Sequence, residues 1–191
     1  MNIPNRLTIL RLILIPIFVA VFYVTAIPYN YLIATIIFCL ASLTDFLDGY
    51  IARKYNLVTN LGKFLDPIAD KVLVATAFII MLLPSDGESA ILPFYGAICV
   101  AVILARELIV SGFRMVAASK GAVLAADWSG KVKTFCQDVC IIVLLLGAQF
   151  MPGLYSVVNI VGLALLGVST LLTIYSGIEC IVKNRQVLKD N

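Results

Sequence analysis

The sequence predicts an all-α integral membrane protein with six transmembrane helices, and three observations lead to this fold class. Hydrophobic residues make up 62% of the 191-residue chain and charged residues only 13%, whereas soluble domains are about half apolar and a quarter charged. The apolar residues form six long runs. The fourteen Lys and Arg residues lie near only one end of each run, and this end is alternately the first and the last from one run to the next. Lipid is therefore the expected surrounding of this chain.

Each of the six apolar windows is long enough to cross a bilayer as a helix, for which about 20 residues are needed. The windows cover about residues 7–27, 31–50, 65–83, 91–112, 133–150 and 155–180. The first window is too long for a signal peptide and lacks a small-residue cleavage site. Because the breaks between windows are short, residues 1–191 are expected to form one membrane domain without linkers or repeats.

The basic residues predict the orientation of the helices. The breaks 28–30, 84–90 and 151–154 contain no Lys or Arg, whereas the N-terminus, 51–64, 113–132, 181–191 and the adjoining helix ends contain all fourteen. Basic segments remain on the cytoplasmic side of membranes. Both termini and the 51–64 and 113–132 connections should therefore be cytoplasmic. A compact chain without a transit peptide is typical of a multi-pass protein of a bacterial plasma membrane.

The composition also limits the chemistry that this chain performs. It contains no histidine, so the commonest general base and transition-metal ligand is missing. The five cysteines fall inside apolar runs without metal-ligand spacing, where cysteine behaves as a small hydrophobe. A net charge of +3 gives no indication of a nucleic-acid partner. Catalysis is left to carboxylates, lysine, arginine and tyrosine.

The N-terminal segment carries a polar stripe on an otherwise apolar helix. Asn5, Thr8 and Arg11 are spaced three residues apart and therefore share one face. One interpretation is an amphipathic segment that lies on the lipid headgroups. The other is that the stripe forms one wall of a pocket, and the sequence leaves both open.

Two pairs of aspartates form the strongest candidate site. Asp45 and Asp48 share a face at the end of the second window, and Asp66 and Asp70 share a face at the start of the third. A short connection would bring these ends together at the cytoplasmic membrane boundary. Four converging carboxylates need cations, and oxygen ligands without His or thiolate favour Mg²⁺ or Mn²⁺. Two such ions bridged by carboxylates are typical of phosphoryl transfer.

Small residues and one arginine accompany the aspartates. Gly49 and Ala52 remove side-chain bulk on or near the aspartate face, and Gly62 does the same on the third helix. A nucleotide can then approach the helix backbone, with Arg53 placed to bind a diphosphate oxygen. The alternative from a different class is a cation transporter, because transporters also place carboxylates within membrane helices.

The pattern Asp-x2-Asp-Gly-x2-Ala-Arg-x8-Gly-x3-Asp-x3-Asp, from Asp45 to Asp70, resembles the signature of the CDP-alcohol phosphatidyltransferases at every specified position. The resemblance implies six helices, with this motif on the second and third, and a homodimer. It implies that two divalent ions bind to Asp45, Asp48, Asp66 and Asp70, with Asp70 also acting as general base. It further implies that the CDP group is held by Asp48, Gly49, Arg53 and Gly62, and it favours Asn5 and Thr8 as part of the pocket wall.

Basic residues near the fourth and fifth windows indicate the acceptor. The stretches that contain Arg106, Arg114, Lys131 and Lys133 resemble family members whose acceptor is glycerol 3-phosphate, a dianion that needs several cations. Lys131 and Lys133 point about 200° apart on a regular helix, so only one of them faces the pocket squarely. The expected reaction converts CDP-diacylglycerol and glycerol 3-phosphate into phosphatidylglycerol phosphate and CMP. The alternatives are family members of the phosphatidylinositol phosphate, phosphatidylserine or cardiolipin type.

Overall fold

The structure, a computed structural model, describes residues 2–55, 60–84, 90–119, 128–150 and 155–185. Within these ranges the regular secondary structure is entirely helical, which confirms the predicted all-α class. The helices are α1 (Ile3–Tyr23), α2 (Asn30–Lys54), α3 (Asn60–Leu82), α4 (Phe94–Ser119), α5 (Trp128–Phe150) and α6 (Tyr155–Lys183). Several of them extend beyond the apolar windows at the ends that carry the basic residues, since polar turns continue a helix where lipid no longer surrounds it.

Within the described residues, five helices are long and apolar enough to cross a membrane. These spans are Pro4–Tyr23, Asn30–Ile51, Phe94–Ala118, Trp128–Phe150 and Val157–Lys183. The helix α3 is not among them, and its first half carries Lys63, Asp66, Asp70 and Lys71. The structure thus supports an integral membrane protein, and a sixth span through α3 stays a prediction.

A tight turn joins α1 to α2 at the predicted break 28–30. Tyr29 adopts a left-handed conformation with φ 60° directly before α2 begins. The side-chain amide of Asn30 donates a hydrogen bond of 2.9 Å to the carbonyl oxygen of Phe22, and the rings of Phe22 and Tyr31 meet edge to face. The two helices therefore run antiparallel along each other, which places the start of α1 beside the end of α2.

The interior is apolar along most of its length and polar at one end. Phe18, Phe38, Phe78 and Leu145 are fully or almost fully buried in one continuous core. The buried polar side chains instead concentrate towards the starts of α1 and α5 and the ends of α2 and α6, and these helix ends meet because neighbouring helices alternate in direction. They include Asn5, Thr8, Arg11, Asp48, Lys133, Gln137, Thr173 and Ser176. This end of the bundle is where the candidate site lies.

Candidate active site

Arg11 of α1 holds the two motif aspartates of α2. Its side chain is completely buried. Its Nη1 lies 2.7 Å from Asp45 Oδ1, and its Nη2 lies 2.7 Å from Asp48 Oδ2. Its Nε donates a hydrogen bond of 3.3 Å to the carbonyl oxygen of Ala41. The two aspartates are one helical turn apart, so a single guanidinium reaches both of them. Arg11 therefore neutralises part of the negative charge that the motif concentrates here.

The polar stripe of α1 faces the protein interior. Asn5 is 5% exposed and Thr8 and Arg11 are 0% exposed, and the Thr8 hydroxyl donates to the carbonyl oxygen of Pro4 at 3.2 Å. A segment lying on the headgroups would instead leave such side chains in water. Burial thus argues against the interpretation as a segment on the headgroups, and the part of these residues in a pocket wall stays a prediction.

Asp70 of α3 reaches a cavity of about 260 Å³ between α3, α4 and α5. The helices α2 and α3 contact each other, and the convergence of the four motif aspartates on one site stays a prediction. The polar residues that line the cavity are Asp70, Lys71, Glu107, Lys133, Thr134 and Gln137, and apolar side chains complete its wall. Two carboxylates and two lysines thus line the same cavity.

Glu107 of α4 is the centre of a charged cluster beside this cavity. Its Oε1 accepts a hydrogen bond from the buried Lys133 ammonium and also lies 3.0 Å from Arg106 Nη1. Lys71 donates to the Ser111 hydroxyl, which in turn donates to the main-chain oxygen of Glu107. Two basic side chains, from α4 and α5, therefore contact this carboxylate, and Lys71 of α3 lies nearby through Ser111. Together with Asp70, which lines the same cavity, the described charges are three cations and two carboxylates.

The predicted acceptor-binding residues occupy different positions. Lys133 is 4% exposed and lines the cavity, whereas Lys131 is exposed. Arg106 lies between α4 and α6, where its Nη2 donates to Ser176 Oγ at 2.7 Å, and Arg114 is exposed. The geometry thus favours Lys133 over Lys131, and it connects Arg106 with the cavity through Glu107.

Some side chains of the predicted CDP-binding and metal-binding sets are not described by the structure. The backbones of Ala52, Arg53 and Asp66 are helical, but their side chains are not among those that the structure describes. Gly62 is buried near the start of α3, and Gly49 is partly buried near the end of α2. Their roles stay predictions.

Two polar contacts in the site were missed by the sequence reasoning. Ser42, one turn before Asp45 on α2, donates to Asp138 Oδ2 of α5 at 3.1 Å. The amide of Gln137 donates to Thr173 Oγ1 of α6 at 3.4 Å. The signal was present, because Gln137 and Asp138 interrupt the fifth apolar window. Polar residues inside such a window usually face the bundle interior.

The described carboxylates fit a hard divalent cation by donor type. Asp45, Asp48 and Asp70 offer only oxygen atoms, which Mg²⁺ and Mn²⁺ prefer. No group of three or more His, Cys, Asp or Glu side chains arranged to hold a metal occurs in the part of the chain that the structure describes. That part excludes the side chain of Asp66, the fourth motif carboxylate.

Comparison with known proteins gives matches along nearly the whole chain. The family model for CDP-alcohol phosphatidyltransferase matches residues 1–175. The chain is 42% identical over 176 residues to a protein of Rickettsia bellii, with 92% of this chain and 91% of the relative covered. It is 41% identical to a Bacillus subtilis protein (98% and 97% covered) and 40% identical to one of Shigella flexneri (99% and 98% covered). All three relatives are named CDP-diacylglycerol--glycerol-3-phosphate 3-phosphatidyltransferase.

Proposed function

The chain belongs to the CDP-alcohol phosphatidyltransferase family, and from that premise we propose that it transfers the phosphatidyl group of CDP-diacylglycerol to sn-glycerol 3-phosphate. The products are phosphatidylglycerol phosphate and CMP, and the protein is a membrane transferase of phospholipid biosynthesis. The observation that carries this assignment is the relatives, about 40% identical over nearly their full length, that are named for this reaction. The family that the motif predicted is thereby confirmed.

The donor side of the site is built around the four motif aspartates. Asp45, Asp48, Asp66 and Asp70 would hold two divalent ions, Mg²⁺ or Mn²⁺. When bound, such ions neutralise the diphosphate and stabilise the charge on the departing CMP. Arg11 orients Asp45 and Asp48 through its two ion pairs. The small residues Gly49, Ala52 and Gly62 leave room for the nucleotide, and Arg53 binds the diphosphate.

Asp70 is the general base of the proposed reaction. It lines the cavity together with Lys133, so an acceptor whose phosphate lies near the lysine places its hydroxyl near the carboxylate. Asp70 takes the hydroxyl proton while the acceptor oxygen bonds to the phosphorus that carries diacylglycerol. The bond from that phosphorus to the bridging oxygen breaks, and CMP leaves with that oxygen. Proton removal by a positioned carboxylate makes the hydroxyl a stronger nucleophile.

The charge around Glu107 supports an acceptor that carries a phosphate. Arg106 and Lys133 contact this carboxylate and Lys71 lies nearby. These three cations outnumber the two carboxylates Glu107 and Asp70, so the cluster keeps one positive charge for a dianionic group. Lys133 contacts the phosphate directly, and Arg106 and Arg114 add to the positive potential. Serine is zwitterionic and would need fewer cations, which argues against a phosphatidylserine synthase.

The proposed enzyme spans the plasma membrane six times, with α3 as the third span. Both termini and the active site lie on the cytoplasmic side. Two independent features support this placement: the buried polar side chains concentrate at one end of the bundle, and the basic residues lie at the same helix ends. Analogy with the family adds a homodimer.

An acceptor screen tests the proposal directly. The purified protein in detergent receives CDP-diacylglycerol, Mg²⁺ and glycerol 3-phosphate, inositol 1-phosphate, serine or phosphatidylglycerol, and the release of CMP is measured. We expect release with glycerol 3-phosphate and none from an Asp70→Asn variant prepared in parallel. Preference for another acceptor would assign this chain to a different type of synthase within the family. No CMP release with any acceptor would refute the proposed transfer reaction.

A further inference from the structure

The helix α6 carries a glycine where the side chain of Arg106 crosses it. A Cβ atom at Gly177 would lie 3.0 Å from Arg106 Cγ and 3.2 Å from Arg106 Nε. Both distances are shorter than ordinary van der Waals contacts. A side chain at position 177 would therefore force Arg106 to shift.

The preceding residue, Ser176, fixes the far end of the same arginine. Arg106 Nη2 donates to Ser176 Oγ at 2.7 Å, and the serine is 2% exposed. The Ser176 hydroxyl donates its own proton to the carbonyl oxygen of Thr173 at 3.2 Å. This second bond leaves the lone pairs of the oxygen for the guanidinium. Ser176, through its hydrogen bond, and Gly177, through its lack of a side chain, together thus fix the position of Arg106 against α6.

The guanidinium of Arg106, held in this position, influences the charge in the cavity through Glu107. Arg106 Nη1 lies 3.0 Å from Glu107 Oε1, the oxygen that Lys133 also contacts. Glu107 and Lys133 line the cavity with Asp70. Because Glu107 divides its negative charge between two cations, it does not neutralise Lys133 one for one. If Arg106 moved away from Ser176 and Gly177, Glu107 would pair with Lys133 alone, and the positive potential in the cavity would decrease.

We propose that Ser176 and Gly177 are positioning residues for acceptor binding. By holding Arg106 against Glu107, they keep Lys133 available to the phosphate of the acceptor. The inference deepens the proposed function, on which it rests. It assigns α6 a part in acceptor affinity, although no described residue of α6 lines the cavity.

The test compares two glycines of the same helix. Gly177→Ala places a methyl group against Arg106, whereas Gly167→Ala meets no atom within 4 Å and is the matched control. Weakening one charge-assisted contact should raise the KM for glycerol 3-phosphate in Gly177→Ala by roughly three- to tenfold. The KM for CDP-diacylglycerol should stay near that of the wild type. Gly167→Ala should resemble the wild type for both substrates.

Ser176 and a double variant provide independent evidence. Ser176→Ala should raise the acceptor KM in the same way, and Ser176→Thr, which keeps a hydroxyl, should recover most of the loss. Ser176→Ala removes one atom without adding bulk, so it tests the proposal even if Gly177→Ala folds poorly. In an Arg106→Ala background, Gly177→Ala should have no further effect on the acceptor KM, because no side chain is left to displace.

A binding measurement separates acceptor affinity from turnover. Glycerol 3-phosphate, without the donor lipid, should raise the melting temperature of the wild type and of Gly167→Ala by more than that of Gly177→Ala. Three results would overturn the proposal: Gly177→Ala behaves like Gly167→Ala, its effect adds fully to that of Arg106→Ala, or both substrate KM values shift together. A wild type that releases no CMP with glycerol 3-phosphate would refute the proposed function itself, which makes the two failures distinguishable.

Discussion

Replacing Arg11 with Met tests whether a single buried cation holds the motif together. Methionine keeps much of the side-chain length but removes the charge. The two ion pairs do not count equally, since the side chain of Asp45 is 42% exposed and that of Asp48 only 3%. An exposed pair contributes about 0–1 kcal/mol, whereas a buried charge that loses its partner costs about 3–5 kcal/mol. We therefore expect a loss of about 3–5 kcal/mol, mostly from Asp48.

The assay is unfolding in detergent, with and without divalent ions. Arg6→Met is the matched control, because Arg6 lies on the same helix and is exposed; its free energy of unfolding should change by no more than about 0.5 kcal/mol. Mg²⁺ bound to the motif carboxylates would replace part of the missing charge. Added Mg²⁺ should therefore stabilise Arg11→Met more than it stabilises the wild type.

A second substitution shows whether the lost ion pair between Arg11 and Asp48 is the cause. Asp48→Asn removes the buried charge that Arg11 pairs with in the wild type, so the double variant should be more stable than Arg11→Met alone. The reasoning would be refuted if Arg11→Met unfolded like the wild type, or if adding Asp48→Asn destabilised it further.

Three further predictions concern the metals, the acceptor and the topology. Asp66→Asn should abolish turnover in a folded protein because one fewer negative charge weakens metal binding. Chelation of the metal should also stop the reaction, and added Mg²⁺ or Mn²⁺ should restore it. Full activity in excess EDTA would contradict the mechanism. Lys133→Met should raise the KM for glycerol 3-phosphate about tenfold or more, while the exposed Lys131→Met should not, and equal effects would exclude the assignment. In a cysteine-free background, an impermeant maleimide applied to intact cells should label a cysteine at Tyr29 but not one at Tyr55, both 61% exposed in the native chain; the reverse pattern would invert the topology.

The sequence predicted the helical class and the motif because both depend on local information. Apolar length and residue spacing along one helix are visible without any knowledge of packing. The pairs Asp45 with Asp48 and Asp66 with Asp70 follow from the helical period alone. The same reasoning showed that Lys131 and Lys133 point in different directions, but it left open which of them faces the cavity.

The positions of the partners of these residues depend on how the helices pack. Arg11 was seen as part of a polar stripe, but its ion pair with Asp48 joins residues 37 positions apart and requires α1 to lie against the end of α2. Arg106 was expected to bind the acceptor phosphate, and an arginine within an apolar helix needs a partner that compensates its charge. The structure supplies that compensation from Glu107 and from Ser176, 70 positions further along the chain.

The sequence by itself thus determined the helical class, the approximate bounds of the helices, which residues share a face and to which family the motif is similar. Tertiary structure alone decided that Lys133 rather than Lys131 lines the cavity, that Glu107 joins two cations, and that Gly177 gives Arg106 its place. The physical reason is that backbone geometry sets the direction of a side chain relative to its own helix. The neighbour that it meets depends on which helices pack together and at what depth, and that follows from the whole interior at once.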